Sequence, residues 1–196
     1  MKKSYFSKLR KRIKEYESIS HFGEIARRYF AMNSFDGVMT VMGVLFGAYF
    51  GGIREARLVI VAGVGVAIAM LVSGSWGSYL TEHAERKKSL HELEMHTLTN
   101  LHNTKIGKAS KAATILVALV NGISPCLSAF VVLIPFFFSK FMSINLAFYI
   151  SAAIAFSILF LVGLFLGRIS KQNLIISGIK MMVAGVVCAV LSLLFL

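Results

Sequence analysis

Four stretches of this 196-residue chain carry no Asp, Glu, Lys or Arg and are long enough, or nearly so, to cross a bilayer: Gly37–Ile53, Leu58–Leu80, Ala112–Ser139 and Ile144–Gly167. A fifth, Leu174–Leu196, contains one charge, Lys180. A crossing takes about 20 apolar residues rising ~1.5 Å each. The first run is short at 17 residues, but Phe35 and Ala31–Met32 extend it. No water reaches the hydrocarbon, so each backbone N–H and C=O must find a partner within its own segment, and these runs fold as helices. The sequence therefore predicts an all-α membrane protein with five transmembrane helices. Composition agrees: 57% of residues are hydrophobic, 15% are charged and the mean hydropathy is +0.74. Such a chain is too apolar for intrinsic disorder. Its two cysteines, Cys126 and Cys188, lie inside apolar runs and read as small buried residues, not as a disulfide framework.

The charges between the runs predict the orientation. Nine Lys and Arg precede the first span, from Lys2 to Arg28. Six more lie between the second and third spans (Arg86, Lys87, Lys88, Lys105, Lys108, Lys111), and Arg168 and Lys171 lie between the fourth and fifth. These segments share one side and hold seventeen cations against three, Arg54, Arg57 and Lys140, on the other. The N-terminus is expected in the cytoplasm and the C-terminus on the opposite side, with the cell membrane as the expected location. Lys180 lies about 9 Å from the inner end of its span and can snorkel to it. No short apolar segment with a small-residue cleavage site follows the basic N-terminus, so the first span is expected to act as its own insertion signal.

Residues 1–30 form a basic segment and 31–196 the five-span domain. Phe6, Leu9, Ile13 and Tyr16 recur at helical spacing, with Lys8, Arg10, Lys11, Arg12 and Lys14 on the other faces. This pattern predicts an amphipathic helix lying in the membrane interface against anionic lipid headgroups. A disordered basic tail is the alternative. Nucleic acid is not expected as a partner, because the basic face adjoins a membrane anchor.

Small residues repeat every fourth position in three spans: Gly43, Gly47 and Gly51; Gly65, Ala69, Ser73 and Gly77; Gly163 and Gly167. In lipid such stripes permit close helix contact, within one chain or with a second copy. Pro125 and Pro135 interrupt the third span near Asn121 and Ser124, so that span is bent, lines a pathway, or both.

Two features carry potential chemistry. Asp36 sits at the cytoplasmic mouth of the first span, where a carboxylate is costly and a functional candidate. Alternatively it caps the helix by accepting backbone N–H bonds. Met39 and Thr40 follow one turn later, so carboxylate, thioether and hydroxyl can converge on one ion. The second feature is the extension 81–111, which holds Glu82, His83, Glu85, His91, Glu92, Glu94, Met95, His96 and His102. On a helix Glu85, Glu92 and His96 share a side, whereas His91, Met95 and His102 share another. Imidazole and carboxylate suit Fe2+, Mn2+, Zn2+ or Co2+. A solvated mixed-charge helix is the alternative. His91 to His96 superficially matches a zinc-protease helix, but the five-residue separation turns the two imidazoles about 140° apart. No phosphate-binding glycine loop and no nucleophile paired with a base occur, so no enzyme activity is expected.

The order of these features resembles the vacuolar iron transporter family from about Met32 onward. Its carriers are Phe35-Asp36-Gly37; Gly77-Ser78-Tyr79-Leu80 followed by Glu82, Ala84 and Glu85; Ile134-Pro135-Phe136; and Ser177-Gly178-Ile179-Lys180-Met181. The resemblance implies a homodimer of five-helix subunits that moves Fe2+ or Mn2+ out of the cytosol in exchange for protons, with no resident cofactor. It implies a path along spans one and two at the dimer interface, with Asp36 as the pathway acid and Glu85 as the first acid of a metal-collecting extension. Where the family's second span carries an acid and a methionine, this chain has Val66 and Gly74. The expected metal-contacting residues are Asp36, Met39, Glu82, Glu85, Glu92 and His96. The expected function is divalent-metal transport; the alternative is a membrane metal sensor or scaffold that binds ions without conducting them.

Overall fold

A computed structural model describes residues 16–18, 22–101 and 103–195. Five long helices follow one another: α1 (Phe22–Phe50), α2 (Ala56–Thr97), α3 (Lys105–Phe137), α4 (Ile144–Ile169) and α5 (Leu174–Phe195). All five are long and apolar enough to cross a membrane, and no strand occurs among the described residues. The fold is the five-span, all-α membrane architecture that the charge-free runs dictate.

The helices overrun the apolar runs on one side. α1 starts at Phe22, well before Gly37; α2 continues past Leu80 to Thr97; α3 starts at Lys105, before Ala112. The apolar run marks the lipid, whereas the hydrogen-bond ladder continues through Glu-, Arg-, Lys- and Leu-rich sequence that favours helix. At ~1.5 Å per residue, α2 with its 42 residues is about 63 Å long, twice a hydrocarbon core of ~30 Å. The extension is thus an unbroken helical continuation of the second span, after which the chain turns and enters α3. Of the basic N-terminal segment, Tyr16–Ser18 is helical and Phe22–Phe30 runs directly into α1. Phe6, Leu9 and Ile13, which carry the expected interfacial helix, lie outside the described residues.

The chain divides into two compact units: residues to Tyr29 with Ser73–Gly122, and Phe30–Val72 with Ile123–Leu196. The second holds the larger core. Val38, Val41, Met42, Leu45 and Ala48 recur at three- and four-residue spacing on one face of α1 and are all buried. They meet Ala129, Val132, Leu133 and Phe136 of α3 and Phe148 and Leu159 of α4 in one cluster. Glycines set the closest approaches. A Cβ at Gly37 would strike the carbonyl oxygen of Pro125 and lie 2.6 Å from both Pro125 Cα and Ser128 Oγ. A Cβ at Gly163 would lie 2.6 Å from Gly178 Cα, and one at Gly167 would lie 2.9 Å from Ser177 Cβ. The third small-residue stripe therefore serves α4–α5 packing within the chain. Pro125 and Pro135 are both buried, so the breaks they make in α3 face protein.

The end of α1 is fixed by an aromatic cluster. The Tyr49 ring meets Phe148 edge-on at 5.3 Å, and its hydroxyl lies 3.1 Å from that of Tyr149. The Arg54 guanidinium lies 4.7 Å from the Tyr49 ring centroid and donates to the Tyr49 carbonyl at 3.1 Å. Amphipathic rings with an adjacent cation are the usual furniture of a membrane boundary.

In the other unit the second half of α2 packs on the first half of α3. Leu90, Ala109, Ala113 and Val117 are buried there. A Cβ at Gly74 would lie 2.8 Å from the Asn121 carbonyl oxygen. That carbonyl is the one whose helical donor would be the N–H that Pro125 lacks. The turn between the helices is built from side chains. Leu98 ends α2 with φ 51°, the Glu94 carboxylate accepts from the Leu101 N–H at 2.7 Å, and Thr104 Oγ1 accepts from the Gly107 N–H at 3.4 Å to cap α3.

Candidate functional site

Asp36 lies more than three turns inside α1, which begins at Phe22. An N-cap stands at the start of a helix, so the capping role is excluded and the backbone N–H groups near Asp36 are committed to the ladder. Its side chain is exposed, whereas Gly37, the next residue, is buried where α1 meets Pro125 and Ser128 of α3. The Phe35-Asp36-Gly37 sequence thus has a local logic. Glycine allows the helix to press against α3, and the neighbouring carboxylate, about 100° round the helix, stays on an exposed face.

The residues expected beside Asp36 are only partly available. Thr40 Oγ1 donates to the Asp36 backbone carbonyl at 2.8 Å, which spends its proton but leaves its lone pairs. Met39 is half-buried and packs against the central apolar cluster. Asp36 therefore offers an exposed carboxylate with a hydroxyl one turn away, and the thioether is turned toward the core.

On the extension, the helical register expected for Glu85, Glu92 and His96 holds, because α2 is unbroken to Thr97. All three are exposed. Glu85 and Glu92 are two turns and about 10 Å apart, too far to share an ion, whereas Glu92 and His96 are separated by one turn. Glu92 makes only a loose pair with Lys88, 4.0 Å apart and largely exposed. Such pairs contribute about 0–1 kcal/mol and open readily. Glu82 is in a different position: its carboxylate pairs with Arg86 at 3.0 Å, with both side chains about 15% exposed. It is the least available of the expected ligands. His102 lies outside the described residues. Among the described residues no three His, Cys, Asp or Glu side chains converge closely enough to hold a metal ion. One of these pairings follows from spacing alone. A Glu four residues before an Arg is a favoured helical pair, which marks Glu82 and Arg86. The Glu94 contact spans seven residues across a turn and has no periodic signature.

The sequence profile of the VIT family matches residues 91–195, more than half of the chain. A protein of Methanocaldococcus jannaschii, known as uncharacterized protein MJ0645, is 34% identical over 172 residues, covering 86% of this chain and 87% of the relative. The chain belongs to the VIT family. Members are membrane transporters of metal ions, not enzymes. The profile match takes in the buried prolines of α3, the α4–α5 glycine contacts and the end of the extension. It begins at His91, so Asp36 and Glu85 lie ahead of it. In this VIT-family chain, Gly74, one of the two positions that depart from the resemblance, is occupied by helix contact. The Asn121 carbonyl oxygen and the Gly122 Cα, at 2.8 and 3.0 Å from a would-be Cβ, leave no room for a longer side chain. The other, Val66, is half-buried.

Proposed function

We propose that this VIT-family chain moves a divalent metal ion, Fe2+ or Mn2+, out of the cytosol in exchange for protons. The observation that carries this reading is the outward-facing Asp36 carboxylate within α1, released from any capping duty. An ionisable group at that depth is costly unless it meets water, a cation or a partner helix. A carboxylate can both bind a divalent ion and exchange it for a proton, which is the minimum that antiport requires. Metal gathers at the exposed Glu85 and at the Glu92–His96 pair, passes to Asp36, and leaves at the opposite face. The excess of cationic residues in the extension and N-terminal segments supports a cytosolic position for both.

We further propose that the working unit is a homodimer in the cell membrane. Gly65, Ala69, Ser73 and Gly77 are all exposed along α2, and a Cβ at Gly65, Gly77 or Gly43 would meet nothing within 4 Å. Small residues gain nothing from facing lipid, whereas against another helix they allow close backbone contact. A second copy also brings a second Asp36 and supplies the further ligands that one chain lacks. A second reading, a metal-binding sensor or scaffold that does not conduct, is favoured by Gly74 and Val66, which leave α2 without a polar ligand at those positions.

The test is transport by the purified full-length chain in proteoliposomes loaded with a metal-quenched dye and a pH dye. Metal entry accompanied by luminal alkalinisation supports the antiporter. Tight metal binding with no entry above protein-free vesicles selects the second reading.

A further inference from the structure

The structure assigns an anion site to the base of the extension: a basic pocket between α2 and α3 that takes a phosphate group. His83, Arg86 and Lys87 come from α2, and Ser110, Lys111 and Thr114 come from α3, over a floor formed by Leu90. The cavity holds about 240 Å3. Three permanent cations line it and no carboxylate is among the lining residues; Glu82, one turn before Arg86, pairs with it at 3.0 Å. The site therefore keeps a net positive charge and repels the cation that the rest of the extension attracts.

Its chemistry is that of phosphate recognition. The guanidinium offers a planar fork and the lysines offer point charges. Lys87 and Lys111 are exposed, so their ammonium groups can swing onto a ligand, whereas Arg86 is held in place by Glu82. Thr114 Oγ1 donates to the Ser110 carbonyl at 3.1 Å, which fixes the wall. His83 stacks on Tyr79 with ring centroids 5.8 Å apart, which fixes the opposite wall. The volume is below the ~300–1,000 Å3 typical of drug-sized ligands, which suits a phosphate group with the rest of its ligand outside the pocket. The level in the molecule is equally specific. His83 lies three residues beyond the apolar run that ends at Leu80, and Lys111 directly precedes the run that starts at Ala112. Both walls thus meet the plane where phospholipid phosphates lie. A lipid headgroup and a free phosphate share this chemistry. The site is independent of the transport reading, since it uses neither Asp36 nor the metal-collecting acids.

The test uses full-length, delipidated protein in detergent. One arm measures retention of phosphatidylglycerol against phosphatidylcholine by native mass spectrometry. The other titrates inorganic phosphate, alone and in competition with the lipid. The double variant Lys87→Gln/Lys111→Gln is compared with Lys87→Arg/Lys111→Arg and with a charge-matched control remote in sequence, Arg57→Gln/Lys140→Gln. At about fivefold per lysine near an anionic surface, the Gln pair weakens binding by about 25-fold. The Arg pair and the control stay within about twofold of wild type. Phosphatidylglycerol retention that millimolar phosphate does not displace identifies the lipid as the source; displacement identifies the soluble ion. Unchanged binding by the Gln pair in both arms overturns the proposal, as does an equal loss in the control pair.

Discussion

Gly37→Ala isolates the contact that holds Asp36 in place. The added methyl would sit 2.6 Å from Pro125 Cα and from Ser128 Oγ, and closer still to the Pro125 carbonyl oxygen. Carbon atoms prefer about 3.5–4.0 Å, so α1 and α3 must part by roughly 1 Å. Two of the three blocking atoms are backbone in a buried stretch of helix, and no rotamer change can clear them. Overpacking of this kind costs about 1–3 kcal/mol, with the upper end expected where backbone must move. Alanine recovers up to about 1 kcal/mol in helix propensity, leaving a net loss of about 1–2 kcal/mol. Gly43→Ala is the matched control, because a Cβ there meets nothing within 4 Å. It keeps the propensity gain and should be neutral or stabilised by up to about 1 kcal/mol. At about 2–4 °C per kcal/mol for a chain of this size, the two variants should differ in Tm by about 2–12 °C. A thiol-reactive fluorogenic dye reads the transition, because Cys126 is buried in the native state. Equal Tm values for the two variants would refute the account of this contact.

Replacing Gly65 or Gly77 by Leu should place bulk on the proposed dimer face and shift the purified protein toward monomer in light scattering, with little change in monomer helicity. Leu98→Gly should stabilise the protein by about 1 kcal/mol, because φ 51° strains a residue bearing a Cβ; thermal unfolding checks it. Glu85→Gln should weaken Mn2+ binding in calorimetry, whereas Glu82→Gln should leave it near wild type and lower Tm instead, since Glu82 is committed to Arg86.

The five spans were legible in the sequence because exclusion of charge from lipid is the strongest constraint on such a chain. The helix ends were not, because a ladder that leaves the bilayer has no compositional edge: α1 gains its first turns from Phe22 onward in polar sequence. That hidden start left Asp36 open between cap and functional carboxylate. The stripes of small residues look alike in sequence, yet Gly163 and Gly167 are filled by α5, whereas Gly65 and Gly77 face outward. Only tertiary placement separates these cases. The acids of the extension look alike in sequence, and the structure divides them by duty. Glu94 ties the turn through Leu101, Glu82 holds Arg86, and Glu85 stays exposed. The basic pocket has no signature in the sequence because its two walls are more than twenty residues apart in the chain and meet only when α3 folds back along α2.

The most direct measurement is the initial rate of Mn2+ entry into proteoliposomes for wild type and Asp36→Asn, at matched protein density and with Tm confirmed unchanged. Asparagine keeps the size and removes the charge. A fall to the rate of protein-free vesicles is the expected result; entry within twofold of wild type would place the ion's route elsewhere.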